Sequence, residues 1–214
     1  MRIVSHCCAA FCGLWVCVSA AEAALWIPSS GTSGLISYSN GQDSNGHFSN
    51  PLTGEEKFVF VNPITFLAVA PGSPTTVTDT LSFDATVPGG YQITQVSAQV
   101  SGDYSLAGPL ATVSYTATLT LNGGAYSAPV VFVPVAPITS GDGEFSGTVS
   151  ILLPPGISSV SVAMTGTLQA TSATGSTSLV QIKNAQISFT VIPEPVSLSL
   201  ISGAGVLFLR RRRA

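Results

Sequence analysis

Hydrophobic and polar residues alternate with a period of two through the middle of this chain. Between residues 113 and 121 the odd positions are apolar, and the even positions carry hydroxyl groups. Because successive side chains of a β-strand point to opposite faces, this pattern predicts a strand with one buried face and one solvated face. Stretches 77–87 and 160–168 repeat the pattern, although Asp79 interrupts the apolar face of the first. We therefore expect antiparallel sheet.

Six further stretches predict strands, and they are 58–61, 64–70, 91–100, 129–135, 144–153 and 179–191. In two of them the apolar positions change parity, near Gln95 and near Lys183–Asn184, so we expect a β-bulge at each place. Residues 29–54 are rich in Gly, Ser and Asn and are expected to form a long loop or a loosely held edge segment. Together these features predict an all-β fold of about nine strands. Its architecture would be an antiparallel two-sheet β-sandwich, immunoglobulin-like or jelly-roll.

The amino-acid composition excludes one class of binding partner, nucleic acid. The chain has 29 serines and 21 threonines, and residues 24–192 carry two lysines against eight carboxylates, a net charge of −6. A body so poor in cations has no basic stripe for phosphates, which excludes nucleic-acid binding. Its hydroxyl groups could accept O-linked sugar or could simply be the solvated side of a sheet.

The N-terminal residues have the layout of a secretory signal peptide. Arg2 precedes an apolar stretch from about Cys7 to Val18, and Ala21 and Ala23 then form a cleavage site of two small residues separated by one. Cleavage after Ala23 would remove residues 1–23. All four cysteines lie within that segment, so we expect the exported body to have no disulfide and no cysteine metal ligand.

The C-terminal residues form a tail of three ordered parts, a Pro-Glu-Pro motif, an apolar run and an arginine cluster. These parts are Pro193, Glu194 and Pro195, then residues 196–209, then Arg210, Arg211, Arg212 and Arg213. As a helix rising ~1.5 Å per residue, the run would span roughly 21 Å, short of the ~30 Å hydrocarbon core of a bilayer. The arginines would hold their end in the cytoplasm. We expect a short transmembrane helix that acts as a temporary membrane stop.

This tail resembles the PEP-CTERM sorting signal of certain Gram-negative bacteria over about 22 of the 214 residues. The resemblance implies export, brief retention in the inner membrane, and processing by an exosortase, a membrane-embedded cysteine transpeptidase-like enzyme. It also implies a final location at the cell surface or in an exopolysaccharide matrix, often with glycosylation. We therefore divide the chain into a signal peptide (1–23), a β-sandwich ectodomain (24–192) and a sorting segment (193–214).

Catalytic and metal-binding side chains are scarce in the ectodomain. His47 is its only histidine and lies in a polar loop, where we interpret it as solvated. Asp43 and Asn45 match the first and third positions of a calcium loop, but the fifth position is His47 and the sixth is Phe48, where such a loop needs glycine. Calcium is therefore a weak candidate, and turn formation explains Asp43 and Asn45 better. We expect no resident metal or cofactor.

Two pairs of acids suggest no better catalytic site. Glu55–Glu56 and the pair Asp142 and Glu144 are expected to be solvated, because nothing in the sequence places them across a cleft as a glycosidase requires. No Gly-x-Ser-x-Gly motif exists to present a nucleophilic serine. We predict that the protein is not an enzyme.

Carbohydrate binding is the main alternative to a structural or adhesive role at the cell surface. Exposed aromatic rings stack on sugars, and the candidates are Trp26, Tyr38, Tyr104 and Tyr126. Such residues more often cover the edge of a core. The sequence thus favours an exported structural protein, with a carbohydrate-binding module of the exopolysaccharide layer second and a hydrolase third. Its expected partners are an exosortase-type enzyme, the inner membrane and exopolysaccharide.

Overall fold

The computed structural model describes residues 23–61 and 66–194. Fourteen strands occur in this part of the chain, and a single 3-10 turn covers Asn122–Gly124. In chain order the strands are β1 (Ala24–Leu25), β2 (Gly31–Ser33), β3 (Ile36–Asp43), β4 (Leu52–Gly54), β5 (Lys57–Val61), β6 (Leu67–Ala70), β7 (Thr75–Thr86), β8 (Tyr91–Ala107), β9 (Thr112–Leu121), β10 (Tyr126–Pro129), β11 (Val131–Val133), β12 (Asp142–Leu152), β13 (Ser159–Thr171) and β14 (Thr177–Pro193).

The strands form two antiparallel seven-stranded sheets, which pack face to face as a β-sandwich. Sheet A has the order β1-β3-β7-β13-β9-β10, and β2 also pairs with β3. Sheet B has the order β11-β12-β8-β14-β5-β4, and β6 also pairs with β14. From β7 to β9, and again from β12 to β14, each strand lies in the sheet opposite its predecessor. The predicted all-β two-sheet sandwich is confirmed.

The predicted alternation identifies the core correctly. Five apolar residues of β9 point inward and are buried, and the inward apolar residues of β13 and β7 are buried with them, except for the half-buried Val77. The β9 residues are Val113, Tyr115, Ala117, Leu119 and Leu121. Asp79 also points inward from β7, and its side chain is fully buried. It therefore needs hydrogen-bond partners inside the fold, because an unpaired buried carboxylate is costly.

Both predicted bulges are confirmed. The pairing of β14 with β8 shifts register between Ile182 and Asn184, so Lys183 is the extra residue of the first bulge. The second shift lies between Thr190 and Val191, opposite Gln95 and Ile93 of β8. An extra residue restores the inward direction of the apolar side chains on either side of it.

The segment 29–54 is more regular than predicted. It contains β2, β3 and β4, and β3 pairs with β7 inside the edge of sheet A. Ile36 and Tyr38 point inward, but the next inward positions are Gly41 and Asp43, so the apolar pattern that marks a buried face is lost. Gly41 is required there, because the ring of Trp26 leaves no room for a Cβ atom.

Among residues 23–61 and 66–194, no helix is long and apolar enough to cross a membrane. Residues 1–22 of the predicted signal peptide, with Ala21, lie outside the described residues, as do Pro195, the apolar run 196–209 and the arginine cluster. β14 extends through Pro193, one residue past the predicted end of the ectodomain.

Candidate functional site

The calcium candidates Asp43 and Asn45 lie in a loop, residues 43–48, that begins at the end of β3 and leads toward β4. Asp43 is buried, and its two carboxylate oxygens accept hydrogen bonds from the backbone N–H groups of Gly46 and Phe48. Burial, together with the charge of Asp79, raises the pKa of Asp43 above its ordinary value. Asn45 donates from Nδ2 to the carbonyl oxygen of Thr78 at 2.8 Å. In the described part of the chain, no three His, Cys, Asp or Glu side chains form a group that could hold a metal ion.

Asp79 holds the same loop from the opposite side. Its Oδ1 accepts hydrogen bonds from Ser44 Oγ at 2.7 Å and from the N–H of Asn45 at 2.9 Å, and its Oδ2 accepts the N–H of His47 at 2.8 Å. Two buried carboxylates thus satisfy most of the loop's backbone donors. We call this arrangement of Asp43 and Asp79 the clasp. In the sequence, Asp79 is visible only as an interruption of an apolar face.

His47 is not the solvated loop residue that we expected. Its ring stacks on Phe66, with ring centroids 5.7 Å apart and planes inclined by 22°. Its Nδ1 atom is buried and makes no hydrogen bond within the described residues. The difference arises because the carboxylate of Asp79 draws the loop backbone inward and the ring follows.

Two of the four aromatic candidates are core residues. Trp26 and Tyr38 are 3 % and 7 % exposed, and their rings contact those of Phe58 and Phe60. They cannot offer a flat surface to a sugar. Tyr104 and Tyr126 are half-buried and pack against the core. The expectation that these rings pack against the core and not on sugar is confirmed for Trp26 and Tyr38, which lie inside the core.

The two acid pairs lie in different settings. Glu55 and Glu56 form the two-residue turn between β4 and β5, and Glu56 Oε1 accepts the N–H of Leu35 at 2.9 Å. Asp142 begins β12 and accepts the N–H of Leu106 at 2.9 Å. A hydrogen bond from Ser105, with that from Leu106, keeps the pKa of Asp142 below its ordinary value. Glu144 points outward from the same strand, directly opposite Asp103 of β8.

The outward face of β7, β13 and β9 forms a regular hydroxyl array, which we call the hydroxyl face. Its threonines stand in ranks across the three strands, Thr78–Thr167–Thr116 and Thr80–Thr165–Thr118. The hydroxyl oxygens of Thr80 and Thr165 are 2.8 Å apart, and those of Thr78 and Thr167 are 3.0 Å apart. The ranks are uncharged and offer both donors and acceptors to solvent.

A groove of about 300 Å³ interrupts the hydroxyl face at Ala163. Its polar lining residues include Asn40, Gln42, Ser82, Asp84, Thr120 and Ser161. The groove forms because the small Ala163 lies between Ser82 and Thr120 on the neighbouring strands.

The carboxylate of Asp84 is held in place at this groove. It accepts hydrogen bonds from Ser161 Oγ at 2.6 Å and from Asn40 Nδ2 at 2.8 Å. These bonds hold the pKa of Asp84 below its ordinary value, so the carboxylate is ionised at neutral pH. Carboxylate, amide and hydroxyl groups around a short apolar floor can bind a polyol.

Sheet B carries a second polar pocket, of about 270 Å³, beside the bulge at Lys183. The Nζ atom of Lys183 lies 2.7 Å from Asp103 Oδ2, and this hydrogen bond raises the pKa of Lys183. Gly102 lines this pocket, and Phe145 and the carbonyl oxygen of Gln181 leave no room there for a Cβ atom. The change of the apolar residues from even to odd positions predicted the bulge. Nothing in the sequence predicted the ion pair, because its two residues are 80 positions apart.

Comparisons with known proteins give no family. No family model matches the chain, and no curated protein matches it. Among solved structures, it is similar to the enzymatically active domain of tailspike protein 4 from bacteriophage CBA120, with 14% identity and a TM-score of 0.22. That match covers 59% of this chain and only 20% of the tailspike chain.

Two other solved structures share a loose likeness. One is TmCBM61 in complex with β-1,4-galactotriose, with 9% identity and a TM-score of 0.22, covering 65% of this chain and 83% of that chain. The other is the infectious bursal disease virus Gt strain, with 18% identity and a TM-score of 0.30, covering 65% of this chain and 41% of that chain.

Proposed function

We propose that this protein is exported, sorted through its C-terminal tail, and used as a structural or adhesive component of the cell surface or an exopolysaccharide matrix. The observation that carries the adhesive role is the hydroxyl face. Its ranks of threonine present uncharged donors and acceptors at the spacing of adjacent strands, about 4.8 Å. Each contact with a polysaccharide would be weak, but many copies in a layer bind by multivalency.

The sorting part of the proposal is supported by the order of the tail. Pro193, Glu194 and Pro195 precede the apolar run 196–209, and the arginine cluster resists crossing hydrocarbon. In a host with an exosortase, the mature protein should lose the tail and leave the inner membrane. In a host without the enzyme, it should keep the tail through Ala214. Fractionation with intact-mass analysis measures both outcomes, and a mature protein that keeps Ala214 in the first host contradicts sorting.

Two variants distinguish the role of the arginine cluster from that of the Pro-Glu-Pro motif. Changing all four arginines to Ser should release unprocessed protein, because nothing then stops the tail from crossing. Changing Pro193 and Pro195 to Ala should leave full-length protein in the inner membrane. If the two variants behave alike, the parts do not have separate roles.

The adhesive part is tested by co-sedimentation of the protein with exopolysaccharide from the host. The double variant Thr116→Ala, Thr167→Ala removes two of the three hydroxyl groups of one rank of the hydroxyl face and should lower the bound fraction. Thr148→Ala with Ser150→Ala, on the outward face of β12 in sheet B, is the matched control. Equal losses in the two double variants would contradict a role for the hydroxyl face.

A carbohydrate-binding module is the second candidate, and the groove at Ala163 favours it. The fixed and ionised carboxylate of Asp84 gives that groove a defined acceptor for sugar hydroxyls. A glycan array should then show saturable binding of particular sugars that Asp84→Ala abolishes. Asp142→Ala, on sheet B, should leave binding unchanged. Binding that survives Asp84→Ala would place any sugar site elsewhere.

A further inference from the structure

The Pro-Glu-Pro motif is joined to the sandwich without a linker. β14 ends at Pro193, which pairs with Tyr91 of β8, and the N–H of Glu194 donates to the carbonyl oxygen of Gly90 at 2.8 Å. Only Pro195 then separates Glu194 from the apolar run that begins at residue 196. The sandwich therefore includes the first two residues of the motif. The one residue that leads from there to the apolar run spans at most about 3.6 Å when extended.

The end of β14 is held by β8 on one side only. β5 pairs with β14 from Asn184 to Ser188, and the N–H of Phe189 donates to the carbonyl oxygen of Glu56. Beyond that point, no strand in residues 23–61 and 66–194 pairs with β14 on the side opposite β8. We call this stretch, Thr190–Glu194, the terminal edge. Thr190, Ile192 and Pro193 are exposed there.

Two hydrogen bonds fix the direction of the backbone N–H groups along the terminal edge. Phe189 directs its N–H away from β8, and Glu194 directs its N–H toward β8. Because these directions alternate along a strand, the backbone groups of Val191 and Pro193 point away from β8, as those of Phe189 do. Proline has no N–H to donate. At residue 193 this costs no ladder hydrogen bond, because the backbone there faces the unpaired side of β14, and sheets tolerate proline at such positions.

We propose that the processing enzyme recognises Pro193 and Glu194 in the extended, sheet-bound conformation that β8 imposes, and approaches along the terminal edge. This proposal rests on the sorting function proposed above. An extended segment already paired on one side has lost most of its backbone freedom before the enzyme binds. Recognition of an extended peptide by addition to an exposed strand edge is a common mode in proteins.

A reversible cross-strand disulfide tests whether β14 must separate from β8. Gln92 and Ile192 are directly opposite in the register, and the described residues include no cysteine, so Gln92→Cys with Ile192→Cys introduces one new pair. In an exosortase host we expect the same processed fraction with the disulfide closed as after adding reductant. A several-fold fall that reductant reverses would overturn the proposal, because it would mean that the end of β14 must peel away. Each single cysteine variant is the control.

An insertion tests whether the sheet-bound conformation matters. Placing Gly-Ser-Gly-Ser between Ile192 and Pro193 moves the motif away from β8 and leaves the motif itself unchanged. We expect the processed fraction to fall at least about tenfold, since ordering even one free residue costs roughly that factor. The same insertion between Gly123 and Gly124, an exposed turn, is the matched control. Processing of the first variant at the wild-type level would overturn the proposal.

The wild-type chain separates the two proposals. If it keeps Ala214 in the exosortase host, the sorting function fails and this proposal falls with it. If wild type is processed while the disulfide or the insertion gives the contrary result, only the sheet-bound recognition is wrong.

Discussion

Ser44 Oγ donates a hydrogen bond to Asp79 Oδ1 at 2.7 Å, which joins the loop after β3 to the middle of β7. The same oxygen accepts the N–H of Asn45, and the other oxygen accepts the N–H of His47. A buried carboxylate that breaks an apolar face therefore adds to the hydrogen bonds that Asp43 accepts within the loop. Its burial is tolerated because its acceptor sites are occupied.

Replacing Asp79 with Leu should destabilise the sandwich, although Leu continues the apolar pattern of β7. Ser44 Oγ and the N–H groups of Asn45 and His47 would lose their acceptor, and a donor left unsatisfied away from solvent costs about 1–3 kcal/mol. We expect the free energy of unfolding to fall by at least about 2 kcal/mol, measured by chemical denaturation of residues 24–194. Asp84→Ala on the same strand is the control, and it should cost under about 1 kcal/mol because Asp84 faces solvent. A stable Asp79→Leu variant would mean that the loop does not depend on this clasp.

The contribution of Asp43 to the free energy of unfolding should increase as the pH is lowered. Its pKa is raised on folding, chiefly by burial, so its contribution to stability is fully present below the ordinary value of 3.8 and is lost as pH rises through the folded pKa. The stability advantage of wild type over Asp43→Asn should therefore be largest at the most acidic pH at which both fold. It should shrink as the pH approaches neutrality. Denaturation of both proteins across this range measures the difference, and an advantage that grows with pH would contradict the burial argument.

The two faces of β9 should respond differently to a charge. Leu119→Asp places an unpaired carboxylate in the core and should abolish folding. Thr118→Asp, one position away on the hydroxyl face, should cost under about 1 kcal/mol. Circular dichroism and chemical denaturation distinguish the two. Equal damage would show that both faces of this strand are covered.

Residues 24–194 should fold alone, without a metal or a disulfide. Their apolar side chains form one core cluster, and no cysteine lies among them. Circular dichroism should show β-sheet and one cooperative thermal transition that neither EDTA nor reductant shifts. A transition lowered by EDTA would favour calcium at Asp43 and Asn45.

Some of this fold could be predicted because its cause is local. The alternation in residues 113–121 assigns each side chain to a face without knowledge of any partner strand, since the two-residue period belongs to the strand itself. The parity change at Lys183–Asn184 likewise predicts a bulge, because apolar residues on both sides of it must reach the same core. β3 escaped prediction because two of its inward positions are Gly41 and Asp43.

What the tertiary structure alone decided is which distant residues meet. Asp79 is buried because donors 32 to 35 positions earlier fold back onto it, and Lys183 forms an ion pair with Asp103 of the adjacent strand. Asp84 becomes the fixed acceptor of a groove only because β3 and β13 lie on either side of β7. The sequence determines the direction of each side chain, since that depends on neighbours along the chain. Strand order and register determine its partners, since these depend on how the whole chain buries its apolar faces at once.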